Sequence, residues 1–347
     1  MTRGAPIRVA FMGSDAIALP MLRSLAQTVP EVELCGVFTQ PDRPSGRGQK
    51  LRPNAIKSWA LEQDLPVRQP DRCGPADEDW LREAGVELLL VMAFGQILKR
   101  SLLAIPARGT FNLHASLLPK LRGASPIHTA LASGEEVTGV SFMRIVPQLD
   151  AGPFCAQETL PIGPSTTAPE LIAAIAEASV PLVARALPAV IAGTARFEEQ
   201  SPGAVTYCRR LFKEDAALDF HAPATALHRR IRAFQPWPGT VIDYRGTPLK
   251  IGAASVGDAL DAVPGTLLVG EGTCRVACGA GSLLLEQLQR PGGRLLPVGE
   301  FLRGFPLEQG AVLPSVPLAP LVARRPFPWR WRPGDASAAL EPIPPNR

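Results

Sequence analysis

The sequence predicts an α/β fold with a doubly wound, mostly parallel sheet, followed by a smaller C-terminal β-barrel of OB-like type. Residues 7–13, IRVAFMG, form a continuous apolar run, which is typical of a strand buried on both faces. Strand-like and helix-like segments alternate through the first half of the chain. After about residue 205 the pattern changes to short strand-like runs broken by Gly and Asp, as in a small β-barrel.

The elements of the first half follow from apolar spacing. Strands are predicted after the first at 32–40, 86–95, 109–115 and 138–146, and helices at 18–28, 54–64, 168–193 and, in the second half, 224–234. Asn54 is expected to cap its helix, and Pro181 and Pro188 to bend or divide the long one. Residues 41–53, rich in Pro, Gly, Arg and Lys, are predicted to form a loop.

These changes of pattern divide the 347 residues into three parts. We expect an α/β domain at 1–205, a β-barrel domain at 206–322 and a Pro-, Arg- and Trp-rich tail at 323–347. The tail is expected to pack on the domain surface or to be disordered, and stacking of Trp329 and Trp331 on RNA is the alternative.

The charge of the chain is unevenly distributed. Residues 1–205 hold 19 Lys and Arg against 20 Asp and Glu, whereas residues 206–347 hold 17 against 12. A basic second half is a modest indication of a polyanionic partner, and solubility alone is the alternative explanation.

The composition, with 46% hydrophobic and 20% charged residues, is typical of a soluble globular protein. The first apolar run is too short for a signal peptide, and no apolar run reaches the roughly 18–20 residues of a membrane helix. We therefore expect a cytoplasmic protein without a membrane partner. The six cysteines are scattered without a CxxC pair, and none of the four histidines lies near a Cys pair, so neither a disulfide framework nor a metal site is expected.

The first strand–helix turn, FMGSDAIALP, argues against nucleotide cofactors. It contains one glycine, whereas a dinucleotide-binding turn needs several for the tight turn and for close approach to the pyrophosphate. The chain also has no Walker-type loop. NAD, FAD and ATP are therefore not expected.

The stretch FNLHASLLPKLRG, residues 111–123, carries the first candidate chemistry. Asn112 and His114 are two residues apart in a predicted strand, so their side chains project from the same face. Ligands of open α/β sheets bind at the carboxyl ends of the strands, where this pair is expected to lie. A pair of strand-end polar residues satisfied by a turn is the alternative.

Asp150 follows the next predicted strand, in a loop that contains Gly152. Such an Asp is often only a turn former, but next to His114 it would orient the ring and stabilise an imidazolium. An amide donor, an imidazole and a carboxylate together suit attack by an amine on an acyl carbon. No Ser or Cys occupies a recognisable nucleophile motif, so direct transfer is favoured over an acyl-enzyme.

Residues 111–153 resemble the signature region of the folate-dependent formyltransferases, which pairs N-x-H with SLLP-x-x-R-G and a downstream L-D-x-G. Residues 37–53 resemble the insertion loop of the members that act on methionyl-tRNA. Residues 206–220 and 231–240 resemble the C-terminal half of those members, and the resemblance extends over about residues 7–310.

The resemblance implies a reaction and its residues. The formyl group of the co-substrate 10-formyltetrahydrofolate would pass to the amino group of initiator methionyl-tRNA, for translation initiation, without a metal. Asn112 would donate to the formyl oxygen as it becomes anionic, while His114 and Asp150 manage the proton. The implied folate contacts are Ser116, Leu117, Leu118, Pro119, Phe94 and Gly95, with Phe94 standing where the family usually has Tyr. The implied tRNA contacts are Arg43, Arg47, Lys50 and Arg52.

Other readings of the same residues remain open. A sugar-nucleotide formyltransferase and a formyltetrahydrofolate hydrolase would use the same three side chains, and a non-catalytic RNA-binding protein would need none of them. The Arg-rich loop 41–53 and the basic second half favour the tRNA substrate. A monomer is the default expectation.

Overall fold

The computed structural model describes residues 5–45, 50–328 and 330–335, and the chain forms two compact units. The N-terminal unit comprises Met1–Ala124, Val137–Pro161 and Ile172–Val205. The C-terminal unit comprises Thr206–Arg347 together with two segments from the first half of the chain, Ser125–Glu136 and Ile162–Leu171.

The first two hundred residues contain ten strands and six α-helices within the described residues. The strands are β1 Ile7–Met12, β2 Val32–Phe38, β3 Arg43–Ser45, β4 Lys50–Arg52, β5 Val67–Arg68, β6 Leu88–Val91, β7 Thr110–His114, β8 Arg122–Gly123, β9 Val137–Arg144 and β10 Phe154–Pro161. The helices are α1 Leu19–Thr28, α2 Ala55–Glu62, α3 Pro75–Glu83, α4 Arg100–Leu103, α5 Pro126–Ser133 and α6 Ala168–Ile191.

Seven of these strands form the sheet of the N-terminal unit, in the order β10-β9-β7-β6-β1-β2-β5. The strands from β7 to β5 are parallel, whereas β9 runs antiparallel to β7 and β10 antiparallel to β9. The predicted doubly wound, mostly parallel sheet is thus confirmed. Because parallel strands end at the same edge, the loops after β1, β2, β6 and β7 all lie there.

Some elements differ from the prediction. Strand β10 and helices α3 and α5 were not predicted. The side chains of β10 are mostly only partly buried, because it is the edge strand, so its sequence lacks a continuous apolar run. Asn54 caps α2 as expected, and its side chain accepts a hydrogen bond from the backbone N of Lys57 at 3.0 Å.

Helix α6 is a single helix of 24 residues with Pro181 and Pro188 inside it, so of the two expected effects, bending or dividing the helix, division does not occur. Its length and apolar composition would be sufficient to cross a membrane, although no segment was predicted to do so. Ile175, Leu182 and Leu187 are fully buried within the protein, however, as in a core helix.

The C-terminal unit is built on an antiparallel sheet with the order β12-β13-β16-β15-β14, and β17 pairs with β16. Its elements are β11 Tyr207–Cys208, α7 Ala224–Ala233, β12 Thr240–Tyr244, β13 Thr247–Gly257, β14 Leu267–Gly270, β15 Thr273–Ala277, β16 Ser282–Gln289, β17 Leu296–Pro297, α8 Val298–Gly304 and β18 Val322–Ala323. Helix α7 packs Leu227 and Ile231 into the apolar core formed with the sheet.

The described part of the tail packs on the surface of this unit, which is one of the expected outcomes. Trp331 is buried and packs against Phe212 and Phe327 rather than being available to stack on RNA. Trp329 and residues 336–347 lie outside the described residues.

Candidate active site

His114 and Asp150 form the imidazole–carboxylate pair of the site. The Nδ1 atom of His114, the last residue of β7, lies 3.8 Å from Oδ2 of Asp150, and the His114 side chain is 7% exposed. The other ring nitrogen, Nε2, lies 2.9 Å from the carbonyl oxygen of Leu121. Because a carbonyl oxygen can only accept, Nε2 carries the hydrogen and the neutral ring presents an unprotonated Nδ1 to the carboxylate. A proton taken up at Nδ1 is therefore stabilised by Asp150.

Backbone geometry fixes the position of the Asp150 carboxylate. Asp150 has φ 45°, in the left-handed region that few non-glycine residues adopt. The backbone N of Gly123 donates to its Oδ2 at 2.8 Å. Two residues later, a Cβ on Gly152 would lie 1.8 Å from the carbonyl oxygen of Arg144, so only glycine fits this turn.

Gln200 supports the same loop and was not found from the sequence. Its Nε2 donates to the carbonyl oxygens of Asp150 at 2.8 Å and Gly152 at 2.7 Å. Its Oε1 accepts from Nε of the buried Arg122 at 2.9 Å. Gln200 lies outside every motif, so no sequence signal pointed to it, whereas Arg122 was visible as the Arg of the SLLP-x-x-R-G segment.

Asn112 supplies a free amide donor beside this pair. It lies two residues before His114, on the same face of β7, and is flanked in the sheet by Val91 of β6 and Met143 of β9. Asn112 is half-buried, and its side chain makes no hydrogen bond to any other residue that the structure describes. The amide can therefore donate to an oxygen atom of a ligand.

The loop after β7 is fixed by polar side chains of β9 and β10. Ser141 Oγ donates to the carbonyl oxygen of Ser116 at 2.7 Å and accepts from the backbone N of Leu118 at 3.0 Å. Gln157 Nε2 donates to the Leu118 carbonyl oxygen at 2.9 Å and to Ser141 Oγ at 2.8 Å. Neither Ser141 nor Gln157 was identified from the sequence, because their role depends on the strand pairing.

These contacts separate the loop residues predicted to touch folate into two groups. Ser116 and Leu118 are buried, and Ser116 Oγ donates to the carbonyl oxygen of Lys120 at 2.7 Å. Leu117 and Pro119 are only partly buried. Contact surface for a ligand is therefore concentrated on Leu117 and Pro119.

The predicted pair Phe94 and Gly95 lies in the loop after β6. The Phe94 side chain is buried in the apolar core, and its carbonyl oxygen accepts from Ser14 Oγ at 3.3 Å and Gln40 Nε2 at 3.2 Å. Gly95 is exposed with φ 79°. Phe94 thus contributes an aromatic ring to the core without a hydroxyl group, and the backbone of Gly95 is accessible to a ligand.

The short turn after β1 is fixed locally. Asp15 caps the 3₁₀ turn Ala16–Ala18 by accepting from the backbone N of Ile17 at 3.0 Å. A Cβ on Gly13 would lie 2.5 Å from the ring of Phe11. The carboxylate of Asp15 therefore serves the fold of this turn.

Residues 41–53 contain a hairpin, which corrects the prediction of an irregular loop. Strand β3 pairs with β4, with Arg43 opposite Arg52 and Ser45 opposite Lys50. Arg43, Lys50 and Arg52 are all exposed, and Arg47 lies outside the described residues. The described cations of this segment thus project from a two-stranded arm rather than from an unstructured loop.

The base of the hairpin is anchored to the sheet edge through Asp42. Lys57 Nζ and Gln69 Nε2 donate to its carboxylate at 2.7 and 2.8 Å, and the hydrogen bond from Lys57, followed by that from Gln69, lowers the pKa of Asp42. Asn54 Nδ2 also donates to Thr39 Oγ1 at 2.8 Å. The hairpin therefore extends from a fixed point on the same sheet that carries His114.

Comparison with known families assigns the chain. Residues 7–187 match the formyl transferase family, and residues 210–306 match the family described as formyl transferase, C-terminal domain. The chain belongs to the formyl transferase family. The resemblance drawn from residues 111–153 is thereby confirmed.

Relatives within this formyl transferase family are similar over nearly their whole length. The methionyl-tRNA formyltransferase of Methylococcus capsulatus is 40% identical over 304 residues, which cover 87% of this chain and 98% of that protein. The methionyl-tRNA formyltransferase of Moorella thermoacetica is 40% identical over 315 residues, which cover 89% of this chain and 100% of that protein.

Solved structures share the fold at lower identity. The sugar 3N-formyl transferase WlaRD, solved with dTDP and 5-N-formyl-THF, gives a TM-score of 0.61 at 19% identity and covers 83% of this chain and 98% of that one. HypX from Aquifex aeolicus, solved with tetrahydrofolic acid, gives a TM-score of 0.56 at 16% identity and covers 90% of this chain and 51% of that one. Members of the family thus bind folate derivatives, and the likeness to these structures shows the fold.

Proposed function

We infer that this formyl transferase moves the formyl group of 10-formyltetrahydrofolate to the amino group of initiator methionyl-tRNA. The observation that carries the inference is the open Asn112 amide next to the His114–Asp150 pair, at the ligand-binding edge of the sheet. Relatives that are 40% identical carry the name of this activity.

Asn112 stabilises the charge that develops on the formyl oxygen. When the methionyl amine attacks the formyl carbon, the carbonyl oxygen becomes an oxyanion, and the Asn112 Nδ2–H group donates to it. The amide is fixed by β7 and has no competing partner among the described residues, so no rearrangement is required before it donates.

His114 moves the proton. The attacking amine must lose a proton as the new C–N bond forms, and Nδ1 accepts it while Asp150 stabilises the imidazolium. The same Nδ1–H then returns the proton to N10 of the folate as the bond between N10 and the formyl carbon breaks. The products are formyl-methionyl-tRNA and tetrahydrofolate, and His114 is again neutral.

Direct transfer is favoured over an acyl-enzyme on Cys73 or Cys155, because neither thiol is reactive. Burial raises the pKa of Cys73 and of Cys155 to about 11, so both are thiols rather than thiolates at neutral pH. An acyl-enzyme on either residue would require the thiolate.

The folate site is proposed at the loops after β6 and β7. Leu117 and Pro119 offer partly exposed apolar surface for a flat pterin, and Gly95 offers accessible backbone for its polar edge. Ser116, Leu118 and Phe94 are proposed to support these groups from behind, since their side chains are buried.

The tRNA is proposed to contact the hairpin through Arg43, Lys50, Arg52 and Arg47. Exposed cations on a fixed arm bind phosphates through charge, and this binding is weakened by salt. We further propose a cytoplasmic monomer with a catalytic domain at 1–205, a tRNA-binding domain at 206–322 and a tail at 323–347.

Sugar formylation is the second candidate, because the N-formyltransferase of Helicobacter canadensis, solved with folinic acid and dTDP-3-aminofucose, gives a TM-score of 0.61. Its identity to this chain is only 18%, so the likeness is one of fold. The two candidates are separated by assaying purified protein with 10-formyltetrahydrofolate and either charged initiator methionyl-tRNA or an amino-sugar nucleotide. We expect formylation of the tRNA, and formylation of the sugar alone would overturn the proposal.

A further inference from the structure

The chain extends beyond the region it shares with its family. The C-terminal family match ends at residue 306, and relatives matched over 98–100% of their own length cover only 87–89% of this chain. We call residues 319–335, apart from the undescribed 329, the C-terminal arm. All of it belongs to the C-terminal unit.

The arm is docked on residues 207–213, which we call the opening segment of this unit. Strand β18 pairs antiparallel with β11, joining Val322 to Cys208. Arg209 Nε donates to the carbonyl oxygen of Pro320 at 2.7 Å. Trp331 is 5% exposed, and its ring centroid lies 6.2 Å from that of Phe212. Three separate kinds of contact thus hold the arm in one place.

Arg209, which lies against the ring of Trp331, makes hydrogen bonds within the C-terminal unit. Arg209 lies with its guanidinium 4.7 Å from the Trp331 ring centroid. Its two terminal nitrogens donate to the two carboxylate oxygens of Asp215 at 2.7 and 2.6 Å, and both side chains are buried. Arg209 is therefore a buried anchor whose charge is already paired with Asp215.

The other cations of the two segments face solvent. Arg332 of the arm and Arg210 of the opening segment each place their guanidinium carbon 4.9 Å from the ring centroid of the same residue, Phe212. Both are exposed, as are Arg330 and Lys213. No carboxylate of the described residues lies within ion-pair distance of the Arg210, Arg330 or Arg332 side chains. The Asp335 carboxylate accepts a hydrogen bond from the backbone N of Arg332 at 2.7 Å.

This arrangement brings like charges from two segments to one aromatic ring. Cations gathered on one exposed surface raise its positive potential, which favours the binding of an anion. The guanidinium fork matches the oxygens of a phosphate group in geometry as well as in charge. The surface is therefore suited to a polyanion with regularly spaced phosphates.

We propose that the docked C-terminal arm forms an additional phosphate-binding surface for the tRNA, with Arg210, Arg330 and Arg332 contacting its backbone. The proposal rests on the proposed function for the identity of the RNA. Trp331 and Arg209 position this surface without touching the RNA.

The test compares direct binding of initiator tRNA by wild-type protein and by the Arg330→Gln/Arg332→Gln double variant over a range of salt concentrations. Each lost phosphate contact lowers the slope of log affinity against log salt by about 0.9, so we expect a decrease of about 1 to 2. Arg23→Gln, which removes an exposed charge from α1, is expected to keep the wild-type slope. An unchanged slope in the double variant would overturn the proposal.

A second variant separates charge from folding. Arg330→Lys/Arg332→Lys keeps both charges and is expected to retain most of the wild-type slope, whereas a loss as large as that of the Gln variant would overturn the proposal. Wild-type turnover with methionyl-tRNA is measured in parallel. If the wild-type protein does not formylate methionyl-tRNA, the proposed function is wrong. The role of the arm is decided separately, by comparing tRNA binding of the variant with that of the wild type.

Discussion

The imidazole Nδ1 of His114 lies 3.8 Å from Oδ2 of Asp150, and the opposite nitrogen of the same ring lies 2.9 Å from the carbonyl oxygen of Leu121. The ring is thus fixed at Nε2 by a hydrogen bond, and its proton-accepting Nδ1 atom faces a carboxylate. This relationship, together with the open amide of Asn112, leads to the first two predictions.

Asn112→Ala is expected to lower kcat by about 10²–10³-fold, the usual effect of losing one oxyanion donor. The amide makes no hydrogen bond to the described residues, so unfolding temperature and KM for 10-formyltetrahydrofolate should change little. Steady-state kinetics with methionyl-tRNA provide the measurement. Near-normal turnover in this variant would reject the assigned role.

Asp150→Asn and His114→Ala are each expected to lower kcat by about 10²–10⁴-fold, because proton transfer loses its base or the charge that stabilises the protonated base. The Asn side chain can still accept from the backbone N of Gly123, so the loop should persist. Asp219→Asn is a matched control, since Asp219 lies 2.9 Å from the exposed His221 in the other unit. Equal losses in Asp150→Asn and the control would contradict the assignment.

Gln200→Leu is expected to lower kcat without raising KM for folate by a comparable factor. The change removes two hydrogen bonds to the loop of Asp150 and leaves the buried Arg122 Nε without its acceptor. Loss of a buried partner costs about 1–3 kcal/mol, so thermal unfolding should shift as well. Gln200→Glu keeps the acceptor for Arg122 and should recover part of the unfolding temperature. A variant with lower stability but unchanged kcat would limit Gln200 to folding.

Arg47→Ala and Arg52→Ala are each expected to weaken use of methionyl-tRNA and to lower the salt slope by about 0.9, the value for one phosphate contact. KM for 10-formyltetrahydrofolate should remain unchanged, because the described cations of the hairpin, Arg43, Lys50 and Arg52, project to solvent. Kinetics at several salt concentrations measure both quantities. If folate binding were lost to the same extent, the hairpin would contact the folate rather than the tRNA, and the assignment would be wrong.

Asp215→Asn is expected to lower the free energy of unfolding by about 3–5 kcal/mol, since it leaves the charge of Arg209 buried without its partner. Burial also lowers the pKa of the neighbouring Arg230 to about 10, with Asp215 acting in the opposite direction. Denaturant titration is the measurement. Glu33→Gln, which breaks the exposed pair with Arg8, serves as the control and should change stability by less than about 1 kcal/mol. Similar losses in both variants would contradict the burial argument.

Much of the fold was predictable because buried parallel strands need continuous apolar runs, and β1 and β6 have them. Strand β10 was missed since it is an edge strand whose side chains are mostly only partly buried. The hairpin at 41–53 was missed because its strands are exposed and carry no apolar alternation. Local patterns reveal an element only where burial imposes a period on the sequence.

The sequence by itself determined the alternation of the buried strands with the main helices, the shared face of Asn112 and His114, and the family to which the chain belongs. These properties depend on the spacing of residues along the chain. Only the tertiary structure decided that His114 and Asp150 meet, that Gln200 supports their loop, and that Trp331 docks the C-terminal arm on Phe212. Each of these is a contact between segments far apart in sequence, whose distance is set by strand pairing and packing rather than by local spacing.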